Sequence, residues 1–169
     1  KERSHLMRGA TVGTLQRSDA YCFIRLGTFI ERADNTARLL DVKSQLIEPA
    51  EDSLQPVAAR QDSSAEFYAW SALLRSLSAF EAYHAVYRDS LDARRVAELL
   101  ILRDDVPRSL RSCAAQVADV LPQIECQVGS LDAGRAPKLL AGQMALQLRH
   151  ADIDAILETG LHAWITRFL

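Results

Sequence analysis

LGTFIERADNTARLLDV, residues 26–42, is the stretch on which the fold turns. Glu31, Asp34, Arg38 and Asp41 recur in it at intervals of three, four and three residues. That spacing puts all four on one face of a helix. Phe23, Leu26, Ile30, Ala33, Ala37 and Leu40 recur at the same intervals and define an apolar stripe beside the charged line. Upstream, Ser18 is placed to cap the helix, and Asp19 puts a negative charge in its first turn. Pro49 is a stop signal. The helix is therefore expected from Asp19 to about Ile47.

Working outward, the same 3.6-residue period recurs and strict alternation never does. A short helix is expected from Ser4 to about Leu15, weakened by Gly9 and Gly13. Residues 49–63, rich in Pro, Asp, Ser and Gln, read as a loop. A helix from Ser64 to about Arg88 follows, with a break marked by Ser76 and Ser78. It carries Phe67, Trp70, Leu74, Leu77, Phe80, Tyr83 and Tyr87. Asp92 to Leu102 makes a shorter helix on Val96, Leu99 and Leu100. Pro107 suits the first turn of the next helix, which runs towards Val128 and is kinked or ended by Pro122. Gly129 to Gly134 reads as a second loop. A final helix is expected from Arg135 to Phe168, with soft points at Gly142 and Gly160. The sum is one all-α domain over residues 1–169, a helical bundle of about five or six helices around one long helix.

Composition bounds the function. The 169 residues are 49% apolar and 25% charged, which is ordinary for a folded domain and argues against disorder. A net charge of −2 argues against a nucleic-acid binder dominated by phosphate contacts. No apolar run approaches the length of a bilayer span, so no membrane role is expected. Lys1, Glu2 and Arg3 open the chain with no apolar stretch behind them, so no signal peptide is expected in it. Cys22, Cys113 and Cys126 are odd in number and widely spaced, which fits three partly buried thiols in a reducing cytoplasm.

The charged line admits two readings. In one, Glu31, Asp34, Arg38 and Asp41 form a structural row of ion pairs at the edge of the core, with Asp34 and Arg38 in the favourable acid-first order. In the other, Glu31, Asp34 and Arg38 build a site for a ligand or partner, with Arg32 facing elsewhere on the helix. Gly27, one turn before Glu31, would let another helix approach closely.

Several separated blocks resemble the alpha-E family of bacterial all-helical proteins. They are Arg25-Leu26-Gly27, Glu31 through Asp41, Trp70 with Leu73-Leu74-Arg75-Ser76, Tyr83, Val96 through Leu102, and Pro107 through Cys113. Family members commonly carry Trp where this chain has Tyr21 and Cys22. The resemblance is to the C-terminal half of proteins about twice this length, with a related block in each half. It implies an association with a circularly permuted ATP-grasp ligase and a transglutaminase-like peptidase, and hence with synthesis and trimming of a peptide or peptide tag. By position, Glu31 and Arg32 match the signature pair, with Asp34, Asn35 and Arg38 beside them.

The expected function is a non-catalytic accessory or scaffold domain for such a ligase in the bacterial cytoplasm. One alternative is an enzyme acting on amide or peptide substrates with Glu31 as general base. Another is a metal-binding bundle built on Glu81 and His84, an ExxH pair, with Glu158 and His162. A single ExxH in a chain with four histidines is weak, and no metal site is assigned. Cys113 as a nucleophile, with His84 or His150 as base, is weaker still. The glycines are too scattered for a phosphate loop, and no cofactor is expected. Arg94, Arg95, Arg103, Arg108 and Arg111 cluster around the turn at Pro107. Arg108 and Arg111 are candidates for an anion or docking site there, although Asp104 and Asp105 compete. Self-association is left open.

Overall fold

The computed structural model describes residues 2–44, 63–124 and 135–169. The candidate loops over residues 49–62 and 129–134, the expected helix ends at Ile47 and Val128, the stop at Pro49, and Cys126 all lie outside the described residues. The described chain is all-α, with α1 (Glu2–Thr14), α2 (Asp19–Ser44), α3 (Ser63–Ser76), α4 (Phe80–Tyr87) and α5 (Ala93–Leu102) followed by α6 (Leu110–Val120), α7 (Arg135–His150), α8 (Ile153–Thr159) and α9 (Leu161–Phe168).

Two expected helices are divided, which is why the segments outnumber the expected five or six. The break at Ser76–Ser78 is real: Ser78 adopts a left-handed backbone at φ 54° and separates α3 from α4. The final helix is cut twice. Asp152 caps α8 by accepting from the Ala155 N–H at 3.1 Å, and Gly160, at φ 89°, turns the chain into α9. An L side chain at Gly160 would be strained. Pro107 is also corrected. It precedes the helix rather than opening it, because Ser109 is the cap and accepts from the Ser112 N–H at 3.0 Å. Downstream, Pro122 ends α6 in a short 3₁₀ turn over Leu121–Gln123.

Helix α2 lies against α6 and α9, and α6 in turn packs on α7. Its buried residues are Tyr21, Cys22, Leu26, Thr36, Ala37, Leu40 and Ser44. Phe23 and Ile30, expected in the core stripe, are 61% and 55% exposed. The buried arc is thus turned about the helix axis away from the charged line, towards the side that carries Arg32. The principal core gathers Ala37 and Leu40 with Trp70, Leu74, Leu77, Tyr83, Leu99, Leu100, Leu110, Leu161 and Ile165. A smaller cluster joins Cys22 and Leu26 to Val120 and Ile124. Tyr83 is fully buried and uses its hydroxyl twice, donating to the Ser90 carbonyl and accepting from the Asp92 N–H, each at 3.0 Å. That pair of bonds fixes the turn into α5, where the Asp92 carboxylate caps the helix through the Arg95 N–H.

Candidate functional site

The charged line on α2 is a set of closed, solvent-facing pairs. Asp34 receives the Arg38 Nε–H at 2.9 Å, with 65% of the Arg38 side chain exposed. The hydrogen bond to Asp34 and its charge push the Arg38 guanidinium pKa above its ordinary value. Asn35 donates to Glu31 at 3.3 Å, and both are exposed. Asp41 does not pair with Arg38; it contacts His162 Nδ1 of α9 at 2.6 Å. Pairs this exposed contribute little to stability. Gly27 has open space where a Cβ would stand, so among the described residues no helix approaches closely there. Glu31 lines none of four cavities on the described surface.

Arg32 turns the other way. It is half-buried, its guanidinium sits 5.4 Å from the Phe29 ring centre, and it borders the largest of these cavities. That cavity is an open groove of about 780 Å³ between α1 and α2. Met7, Thr11 and Val12 line one wall, and Arg17, Tyr21, Arg25, Phe29 and Arg32 the other. Tyr21, Arg25, Phe29 and Arg32 follow one another on α2 at intervals of four, four and three, with Arg17 just before the helix, so cations and aromatic rings alternate along that wall. Arg17 lies 4.1 Å from the Tyr21 ring centre, and Arg25 lies between Tyr21 at 5.9 Å and Phe29 at 5.8 Å. Stacking of this kind stabilises a guanidinium by about 0.5–2 kcal/mol and fixes its plane. Arg17 also donates to the Val12 carbonyl, and Arg25 to Gln116 of α6 at 2.6 Å. Its described lining is cationic, aromatic and apolar, with Thr11, Thr28 and Gln123 as the uncharged polar side chains. Sequence reading missed this ladder. Its signal was the four-residue spacing itself, hidden because the apolar stripe was set one face too far round.

The arginines near Pro107 are largely self-paired. Arg94 binds Asp154 at 2.7 Å, Arg95 binds Asp89 at 3.0 Å, and Arg103 binds Asp105. Arg111 bonds the Leu102 carbonyl and Asp104, both at 3.3 Å. Arg108 has no carboxylate partner among the described residues and, with Arg32, borders a small cavity of about 170 Å³. Cys113 is fully buried, and burial pushes its thiol up to about 11, against the weaker opposing pull of Arg32 and Arg108. It is a protonated thiol at neutral pH, not an activated nucleophile. His84 packs edge-on against Phe80 and Tyr83, and His162 meets Asp41. No group of three or more metal-ligating side chains is assembled among the described residues. Nor is any helix among them long and apolar enough to cross a membrane.

Fold and groove together define an all-helical domain with an arginine-lined cleft along its longest helix. A family model described as a predicted alpha-helical domain with a conserved ER motif, Alpha-E, matches residues 1–169, and the chain belongs to that family. Glu31-Arg32 is an ER pair, and so is Glu2-Arg3. No curated protein and no solved structure matches the chain.

Proposed function

We propose that this chain is a non-catalytic accessory or scaffold domain that works with an ATP-grasp peptide ligase in bacterial, cytoplasmic peptide or peptide-tag synthesis. A transglutaminase-like peptidase is a second partner. The association with both enzymes comes from the family resemblance, and the mode of action from the groove. The carrying observation is that Arg32 opens onto a cleft whose described lining is rich in cations and aromatic surface. Such a lining suits holding a ligand or partner rather than transforming it. Glu31, Asp34, Asn35 and Arg38 form the adjoining exposed row, available as rim contacts. Met7 and Val12 of α1, which line the same cleft, are exposed and offer apolar contact surface for a partner.

The test is reconstitution. The chain is co-expressed with a circularly permuted ATP-grasp ligase of the kind the family resemblance implies, and ATP-dependent ligation is followed with and without it. Co-purification and dependence of ligation on the chain are expected. Absence of both would overturn the accessory role.

A further inference from the structure

Arg108 is the exception in a stretch rich in ion pairs. Arg94, Arg95, Arg103 and Arg111, its neighbours in sequence, each meet an aspartate. Arg111, the companion expected for an anion site, turns instead to Asp104 and the Leu102 carbonyl. Arg108 meets no carboxylate among the described residues and lines a cleft of about 170 Å³ between the turn before α6 and the start of α4. Ala82, Val106 and Pro107 are among its apolar walls, Ser78 brings a hydroxyl, and Arg32 of α2 a second guanidinium. Arg32 is engaged elsewhere as well, on the Phe29 ring among others, so it is a shared cation and not a vacant one. A guanidinium has five N–H donors, which one partner does not exhaust.

The backbone under Arg108 is fixed before any ligand arrives. Ser109 donates to the Arg103 carbonyl, Thr36 to the Arg108 carbonyl at 2.8 Å, and the Cys113 thiol to the Pro107 carbonyl at 3.7 Å. Three side chains thus pin one turn, and little loop freedom is left to lose on binding. Both guanidiniums act on the buried Cys113 thiol, so their positive fields overlap in one region. Beside apolar walls that overlap is costly, and an anion between the two relieves it. Asp104 and Asp105 do not serve, since Arg111 and Arg103 hold them. The first turn of α4 has no side-chain cap at Ala79, and its N–H groups add to the field without carrying the site by themselves.

Size and charge select the ligand. At about 30 Å³ per liquid water, the cleft has the room of five or six waters. That admits one oxyanion group and excludes a whole nucleotide or a folded peptide. Two guanidiniums match a double negative charge better than the single charge of a carboxylate. We infer that the cleft between Arg108 and Arg32 binds a phosphate group, either as the free ion or as the end of a monoester. This site lies apart from the α1–α2 groove except for Arg32, and it does not rest on the accessory role.

The experiment is an amide nuclear magnetic resonance titration of the full chain with sodium phosphate, glycerol phosphate and, as the singly charged control, sodium acetate, all at one ionic strength. Phosphate is expected to shift the amides of Ser78, Ala82 and Arg108 and to bind at least tenfold more tightly than acetate. Glycerol phosphate binding as well as phosphate would assign the site to a phosphate carried on a larger ligand, and phosphate binding alone to the free ion. Arg108→Gln should weaken phosphate at least fivefold, and Arg108→Lys, which keeps the charge but loses the fork, should fall between. Arg94→Gln, whose partner is Asp154, should bind as wild type. Circular dichroism spectra matching wild type show that the variants fold. Equal affinity for acetate and phosphate, shifts scattered away from the cleft, or the same affinity in Arg108→Gln as in wild type would each overturn the inference. A chain that ignores phosphate yet captures the ligase would overturn this inference and leave the accessory role standing. Phosphate binding with no ligase capture would do the reverse.

Discussion

The Thr36 hydroxyl donates to the Arg108 carbonyl at 2.8 Å, bridging 72 residues of sequence. Thr36 is fully buried on α2, one turn beyond Arg32, and Arg108 lies in the turn before α6. This single bond fixes the register of the groove helix against the turn that carries Arg108. Thr36→Val keeps the shape and removes the donor. The expected cost is about 1–2 kcal/mol, or a fall of roughly 2–8 °C in Tm for a domain of this size. A thermal melt checks it, and an unchanged Tm would remove this bond from the account.

Tyr83 supports the neighbouring turn in the same way. Tyr83→Phe strips the partner from both the Ser90 carbonyl and the Asp92 N–H. A loss of about 1–3 kcal/mol is expected, together with faster hydrogen exchange at the Asp92 amide. Burial raises the Tyr83 hydroxyl above its ordinary pKa, so it stays a donor throughout the neutral range.

Cys113 predicts an alkaline limb in stability. Its thiol is held up at about 11 in the folded chain, against an ordinary value of 9.0. Between those values the unfolded chain loses a proton that the folded chain keeps, so stability falls as pH rises. The effect is complete by about pH 11 and amounts to no more than about 2–3 kcal/mol. Tyr87, pushed to about 12 chiefly by burial, extends the same trend upwards. Chemical denaturation from pH 8 to 11 should show the decline, and Cys113→Ala should flatten it. Native Cys113 should also resist iodoacetamide at pH 8 and react once the chain is denatured.

The exposed row should behave differently from the core. Asp34→Asn and Arg38→Gln each break a solvent-facing pair, and a Tm within about 2 °C of wild type is expected. A large loss would return the row to a structural role.

The all-helical class was legible because an amphipathic period needs no tertiary knowledge. Leu26, Ala37 and Leu40 were placed correctly in the core for that reason. Phe23 and Ile30 were not, since periodicity marks an apolar face without saying how wide an arc its neighbours cover. Tyr21, Cys22 and Thr36 are buried because α6 and the Pro107 turn lie on their side of α2. The breaks at Asp152 and Gly160 depend on a cap and a positive φ; the residues permit both, yet a continuous helix also tolerates either. Of the candidate site, Arg32 joins the groove while Glu31, Asp34, Asn35 and Arg38 stay outside it. Arg17 carries no motif, and Arg25 stands in the sequence only as part of the Arg25-Leu26-Gly27 block; the fold is what aligns the two with Arg32.

The most direct test compares two charge reversals on α2 in capture of the ATP-grasp ligase. Arg25→Glu changes the groove and Arg38→Glu the exposed row, with circular dichroism confirming that both variants fold. The account predicts at least a tenfold loss of capture for Arg25→Glu and less than a twofold change for Arg38→Glu. Equal losses, or a loss confined to Arg38→Glu, would contradict the assignment of binding to the groove.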